Sequence, residues 1–328
     1  MKGVTSLLSG LLLTAVLATA ASAAPTGKLV LYTSQPERDA AQTVAAFNKA
    51  HPGVTVDVFR SGTTELMAKL AAEFAAGQPQ PDVLLIADAA SMEALKADGR
   101  LQPHPDADVS GFDSGTYDSD RTYFGSKLIT TGIVYNTAAP GAPARWADLA
   151  DPEMKGMLAM PSPLYSGAAA IMLATLTDRE GLGWGYYEAL RANDALAVRG
   201  NGAVLNAVAG GERMYGVLVD FMAFNAKAKG SPVEFVFPAE GVPAVTEPVA
   251  ILSTARNPEA ARAFVDFILS ADGQELAAAM GYMPARAGSR MPDWLPEGTQ
   301  VEVMRADIMK AVRNNADNLK RFESLFAN

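Results

Sequence analysis

The sequence has no cysteine, which excludes a disulfide framework, a cysteine nucleophile and the lipid-anchored start of a lipoprotein. Histidine is nearly absent: His51 falls at a helix end, His104 in a loop, and neither has a metal-ligating neighbour at useful spacing. Positive charge is scarce too, with 27 Lys and Arg against 36 Asp and Glu, for a net charge of −9. That balance argues against nucleic acid and against anionic membrane surfaces as partners, because both select basic patches. Past the leader, no apolar run reaches the roughly 18 residues needed to cross a bilayer, and no low-complexity tract or internal repeat stands out. There is no Gly-x-Ser-x-Gly elbow, no phosphate-binding Walker loop and no His-Glu-x-x-His motif. An enzyme would be left with a pair of carboxylates as acid and base; neither catalysis nor a cofactor is expected.

The chain opens with an address. Lys2 supplies a positive start, Leu7 to Leu17 an apolar core too short to span a bilayer, and Ala21-Ser22-Ala23 a small-residue cleavage pattern. This reads as a secretory signal peptide, residues 1–23, cut before Ala24, so the mature protein is expected in the periplasm. Without Lys2 the net charge becomes −10, since the leader holds no Asp or Glu. The 305 residues that follow exceed what one core usually supports, and two lobes are expected.

Strand and helix then alternate. Lys28 to Tyr32 is a short apolar strand, and Ala40, Val44 and Phe47 follow at helical spacing until Pro52-Gly53. Val54 to Phe59 alternates as a strand before Leu66, Leu70 and Phe74; Asp82 to Ile86 is a third strand, with a helix around Ser91 to Ala97. Three such units predict a doubly wound α/β layer with a parallel core. Pro103 to Arg121, rich in Asp, Gly and Ser, reads as surface loop. Tyr123 to Tyr135 reads as one long strand leaving the first lobe, with a crossing at Ala138 to Pro143. The second lobe is expected over residues 136–241, with a strand at Met157 to Met160 and helices after Ser166, Gly183 and Asn201. Residues 242–328 are expected to return and pack mainly on the first lobe, with helices at Ala260 to Leu269 and Gly273 to Met280.

The stretch from Gly211 to Leu252 carries the sharpest site signal. Tyr215 to Val219 is an apolar strand that delivers Asp220 and Phe221 at its carboxyl end, and Gly241 to Leu252 reads as a second strand carrying Glu247. In open α/β sheets the ligand crevice lies beyond the carboxyl ends of strands. Two carboxylates there would accept hydrogen bonds from hydroxyls or pair with an amine; a salt bridge within the second lobe is their alternative. Three small-residue turns precede helices: Ser34, the run Ser61-Gly62-Thr63-Thr64, and Ser166-Gly167. Each offers unpaired N–H groups and a positive dipole end to an anion, although Ser34 with Glu37 also fits a capping box and Ser166 an ordinary N-cap. Arg60 and Arg199 flank such turns and could grip a phosphate or carboxylate bidentately, or simply be solvated.

In order and spacing the chain resembles the solute-binding proteins of ABC importers, in the branch of ferric-iron-binding, phosphonate-binding and sugar-phosphate-binding proteins. The resemblance rests on Leu31-Tyr32-Thr33-Ser34, Gly132-Ile133-Val134-Tyr135-Asn136, Trp146-Ala147-Asp148-Leu149 with Asp151-Pro152 and Lys155-Gly156, Asn257-Pro258-Glu259-Ala260-Ala261 with Phe264, and Gly281-Tyr282-Met283-Pro284. It implies a type II two-lobed periplasmic-binding-protein fold whose lobes, joined by hinge strands, close on a ligand and present it to an inner-membrane permease. It also implies first-lobe contacts at turns such as Ser34 and Thr63. The ferric-binding members hold their metal with adjacent tyrosines after the strand matching Tyr215 to Val219, where this chain has Asp220-Phe221. They often place a histidine after the first strand, here Gln35-Pro36, and an acid near the end of the third, where Ala87 precedes Asp88. Tyr186-Tyr187 falls inside a helix and is expected to pack or face solvent. The expected ligand is a small anion bearing hydroxyl or amino groups, a sugar phosphate or aminoalkylphosphonate, bound by a monomer through Ser34, Ser61, Thr63, Thr64, Asp88, Ser166, Arg199, Asp220 and Glu247. Ferric iron, held by Asp88, Asp220 and Glu247 with an anion, is the alternative.

Overall fold

A computed structural model describes residues 24–296, 298–304 and 306–327; the leader lies outside the described residues. The first lobe opens with β1 (Gly27–Thr33), α1 (Glu37–Ala50), β2 (Val54–Arg60), α2 (Thr63–Ala75), β3 (Val83–Leu85), α3 (Ala89–Ala97), β4 (Leu101–Gln102) and β5 (Tyr123–Gly125). Its sheet runs β2-β1-β3 in parallel register, Gly27 beside Val54 and Leu31 beside Val83. The helices are amphipathic: α1 buries Ala40, Thr43 and Phe47, one stripe at i, i+3 and i+7. β3 is buried on both faces, as a central parallel strand must be.

The second lobe holds β6 (Lys127–Asn136), β7 (Leu158–Pro161), α4 (Gly167–Thr177), α5 (Gly183–Ala192), β8 (Leu196–Val198), α6 (Asn201–Ala209), β9 (Tyr215–Val219), α7 (Asp220–Ala228), β10 (Val233–Val236) and β11 (Val242–Val245). β6 is its spine, antiparallel to β9 on one side and to β10 and β11 on the other. α4 is apolar all round and correspondingly buried. The chain returns through β12 (Pro248–Leu252), α8 (Pro258–Leu269), α9 (Ala271–Ala279), β13 (Met283–Pro284), β14 (Val303–Met304) and α10 (Ile308–Phe326). β12 enters the first sheet antiparallel to β3, β4 and β5. No helix among the described residues is long and apolar enough to cross a membrane.

The fold is the expected two-sheet α/β clamp, but three boundaries move. The strand expected over Tyr123 to Tyr135 breaks at Ser126: β5 pairs with β12 in the first sheet and β6 with β11 in the second. The chain therefore crosses at Ser126 rather than at Ala138 to Pro143, which lies beyond the end of β6. The return strand breaks likewise, at Thr246-Glu247, with Glu247 at φ 36°. The two breaks lie side by side. Ser126 and Lys127 donate their amides to the Thr246 carbonyl at 3.0 and 3.2 Å, and Ser126 Oγ donates to the Glu247 carbonyl at 2.8 Å. Gln274, 1% exposed, donates to the Ser126 carbonyl at 2.8 Å and so pins this hinge to α9. Finally, the C-terminal part is shared between lobes: α8 packs on β1 and β12, whereas β14 pairs with β11 and α10 lies against both α3 and α4.

Candidate functional site

Between the two sheets lies a cavity of about 420 Å³, walled by the turns that follow β1, β2 and β3 of the first lobe and β7, β8 and β9 of the second. All are carboxyl ends of strands, where diverging turns leave a crevice. The first turns of α2, α4 and α6 reach the wall through Thr63, Gly167 and Asn201. Their leading amides have no acceptor within their helices and carry the positive end of the helix dipoles. α4 comes this close only because it starts with glycine. A Cβ on Gly167 would sit 2.7 Å from the Ala87 carbonyl oxygen and 2.8 Å from Thr63 Oγ1.

Two polar atoms in this wall are buried without a partner, Thr63 Oγ1 and Asn201 Oδ1. Thr63 is 1% exposed, and an unpaired hydroxyl at that depth is costly unless something in the cavity completes it. Ser166 Oγ accepts from the Ala169 amide at 3.3 Å and from Asn201 Nδ2 at 3.4 Å, which leaves its own proton to donate. Ser34 Oγ accepts from the Ala87 amide at 2.9 Å in the same way.

The floor has a different chemistry. Phe221 and Tyr282 pack with ring centres 4.1 Å apart, flanked by Ile129, Val219 and Met222. Glu247 reaches the cavity while its Oε2 takes Lys127 Nζ at 2.5 Å and Gln35 Nε2 at 3.4 Å. Burial pushes the Glu247 carboxyl up from its ordinary range, and Lys127 only partly opposes this. Tyr282 donates to Asp39 Oδ2 at 2.7 Å, and burial together with the neighbouring carboxylates raises its phenol well above the usual value. It is a neutral hydrogen-bond donor, not a phenolate.

Of the nine residues expected at the site, Ser34, Thr63, Ser166, Arg199 and Glu247 line the cavity, as does Arg60. Four do not. Asp220 turns away, 1% exposed, and accepts from the Thr130 amide at 3.0 Å and Thr130 Oγ1 at 2.7 Å, so it anchors α7 to β6. Asp88 caps α3, accepting from the Ala90 amide at 2.8 Å and from Ser91 Oγ. Ser61 points outward to Glu65 Oε2 at 2.7 Å, and Thr64 Oγ1 donates to the Pro163 carbonyl at 2.9 Å. Tyr186 and Tyr187 pack in the second-lobe core with Trp146 and Phe322.

Sequence reasoning missed Tyr165, Asn201 and Tyr282 as wall residues. The Gly200-Asn201-Gly202 turn before α6 is legible in the sequence as the turn beside Arg199, but its Asn201 was not singled out as a contact. Tyr165 carries no such signal.

Residues 29–283 match the family of bacterial extracellular solute-binding proteins. An uncharacterized protein of Haemophilus influenzae is 31% identical over 284 residues, 81% of this chain and 80% of its own length. The Fe(3+)-binding periplasmic protein of Serratia marcescens is 27% identical over 262 residues, 76% of this chain and 75% of its own. Among solved structures, the periplasmic binding protein AfuA of Actinobacillus pleuropneumoniae, with fructose-6-phosphate bound, superposes with a TM-score of 0.82 at 22% identity over 91% of this chain and 98% of that one. With its two sheets, its interlobe cavity and these relatives, the chain belongs to the bacterial extracellular solute-binding proteins, the periplasmic binding components of ABC importers, and is a transport protein rather than an enzyme.

Proposed function

We propose that this protein works as a periplasmic monomer that captures a phosphorylated organic anion, such as a sugar phosphate or an aminoalkylphosphonate, and delivers it to an inner-membrane permease. The observation that carries the reading is the unpartnered Thr63 hydroxyl at the meeting of the first turns of α2 and α4. Converging amide donors and hydroxyls hold an oxyanion without net positive charge. A cavity of about 420 Å³ has room for an organic body, within the range usual for small-molecule sites. Phe221, Tyr282 and Met222 would pack against that body, and Glu247 would accept from its hydroxyl or amino group. Similarity to a fructose-6-phosphate-bound protein supports the same class.

Ferric iron is the second reading, favoured by the Serratia marcescens relative. The wall opposes it: its carboxylates are Glu37 and Glu247, the latter already tied to Lys127, and Tyr282 keeps its proton. Native mass spectrometry of protein taken undenatured from a periplasmic extract tests both. A retained mass that fragments to phosphate or phosphonate is the expected result; a retained mass of one iron, with or without a small anion, overturns it.

A further inference from the structure

The rim of the cleft is bridged by direct contacts between residues of the two lobes. From the first lobe, Arg60, held within that lobe by Nε donating to the Gln35 carbonyl at 2.8 Å, donates through Nη1 to Tyr165 Oη at 2.9 Å. Thr64 donates its amide to the Tyr165 carbonyl at 3.2 Å and its hydroxyl to the Pro163 carbonyl at 2.9 Å. From the second lobe, Arg199 reaches Glu65 Oε2 at 2.8 Å, its guanidinium carbon 4.7 Å from the centre of the Tyr165 ring.

Tyr165 stands at the centre of these contacts. The turn before α4 fixes its backbone, with its amide donating to the Ser162 carbonyl at 3.1 Å. It fills the space beside Gly62, where an added Cβ would lie 2.3 Å from the Tyr165 carbonyl oxygen and 2.8 Å from its ring. The first lobe therefore has a seat for Tyr165, complete with a donor for its hydroxyl and another for its carbonyl. The two arginines of the wall have committed donors to this rim.

We infer that Tyr165 is the latch of the clamp: its capture by Arg60 and Thr64 holds the lobes closed whatever the cavity contains. Ligand-free protein then populates the closed form, and the latch slows the escape of a bound ligand. The strength lies mainly with Thr64, whose bond to the Pro163 carbonyl is half-buried, while the Arg60 bond to Tyr165 is exposed and contributes less. The Arg199 and Glu65 side chains are 70% and 45% exposed, and such ion pairs contribute little in water.

The natural absence of cysteine makes a direct test simple. Gln78→Cys in the first lobe and Asn206→Cys in the second, both at exposed positions, carry a dye pair for single-molecule energy transfer, after any ligand has been removed by unfolding in urea and refolding. The ligand-free parent is expected to show a closed population. Tyr165→Phe should lower the closed-to-open ratio about threefold, the loss of one solvent-exposed hydrogen bond from a charged donor. Thr64→Val should lower it several-fold, and Glu65→Gln should leave it nearly unchanged. Circular dichroism checks that each variant is folded, and Thr64→Val keeps the test decisive if Tyr165→Phe is not. A parent that is wholly open without ligand, or variants with the parent's distribution, overturns the latch. No ligand enters this experiment, so its failure leaves the organophosphate reading intact, and failure of that reading leaves the latch intact.

Discussion

Lys127 and Glu247 face each other across the hinge at 2.5 Å, one on each crossing segment, with side chains 4% and 2% exposed. They form a buried ion pair at the pivot of the clamp, and Glu247 also reaches the ligand cavity. Taking two charges out of water costs several kcal/mol per ion, offset only while both partners remain.

Lys127→Met should therefore be severe. It leaves Glu247 buried without its cation, at a cost of about 3–5 kcal/mol. Because burial already raises the Glu247 carboxyl, the deficit should be largest at neutral pH and shrink as acid protonates it. Adding Glu247→Gln should recover much of the loss. Urea unfolding of the two single variants and the double variant checks this, and additive losses would argue against the pairing.

Asp220→Asn should change the pH dependence of stability rather than the fold. Burial raises this carboxyl from 3.8 to about 6, so the folded protein holds the proton more tightly than the unfolded chain. The stability from the bound proton is fully present below pH 3.8 and is lost as the pH rises through about 6. Two units correspond to roughly 3 kcal/mol. The asparagine still accepts from Thr130 through its oxygen but turns its NH2 toward the Phe221 amide, which donates to Asp220 Oδ1 at 2.7 Å, so it should flatten the stability profile between those limits at some overall cost. Asp220→Ala, in contrast, strands the Thr130 donors and should destabilise.

Thr63→Val removes a hydroxyl that has no partner in the protein. Stability should hold or rise slightly, while affinity for a hexose phosphate should fall about tenfold or more, as expected for one hydrogen bond to an anion. Calorimetric titration beside thermal unfolding separates the two effects, and unchanged affinity would remove Thr63 from the site.

Gly125→Ala should disturb the hinge. Its Cβ would lie 2.6 Å from the Thr116 carbonyl oxygen and 2.8 Å from Thr246 Cβ, wedging between the crossing segments. Overpacking of this kind costs about 1–3 kcal/mol, measurable as a lower unfolding midpoint.

Much of the architecture could be read from periodicity: β1 to α3 alternate as expected, and Tyr215 to Val219 is a strand to the residue. The hinge was missed because Tyr123 to Tyr135 reads as one β-prone run, although Gly125-Ser126-Lys127 interrupts it with small and polar residues where the chain changes sheet. Helix starts marked Ser34, Thr63 and Ser166 well, since small polar residues before a helix have a local cause. Asp220 misled because an acid at a strand end reads the same whether it faces a crevice or ties its helix to Thr130 of the neighbouring strand. Tyr165 depends on a neighbour from the other lobe, and no local pattern encodes that.

The hinge at Ser126 and Thr246 is two hydrogen-bonded antiparallel segments, with β13 paired alongside on β6 through Met283 and Leu128. Two hydrogen-bonded crossings, one of them also tied to β13, couple the lobes more tightly than a single strand would, so that neither crossing can swing without moving the other.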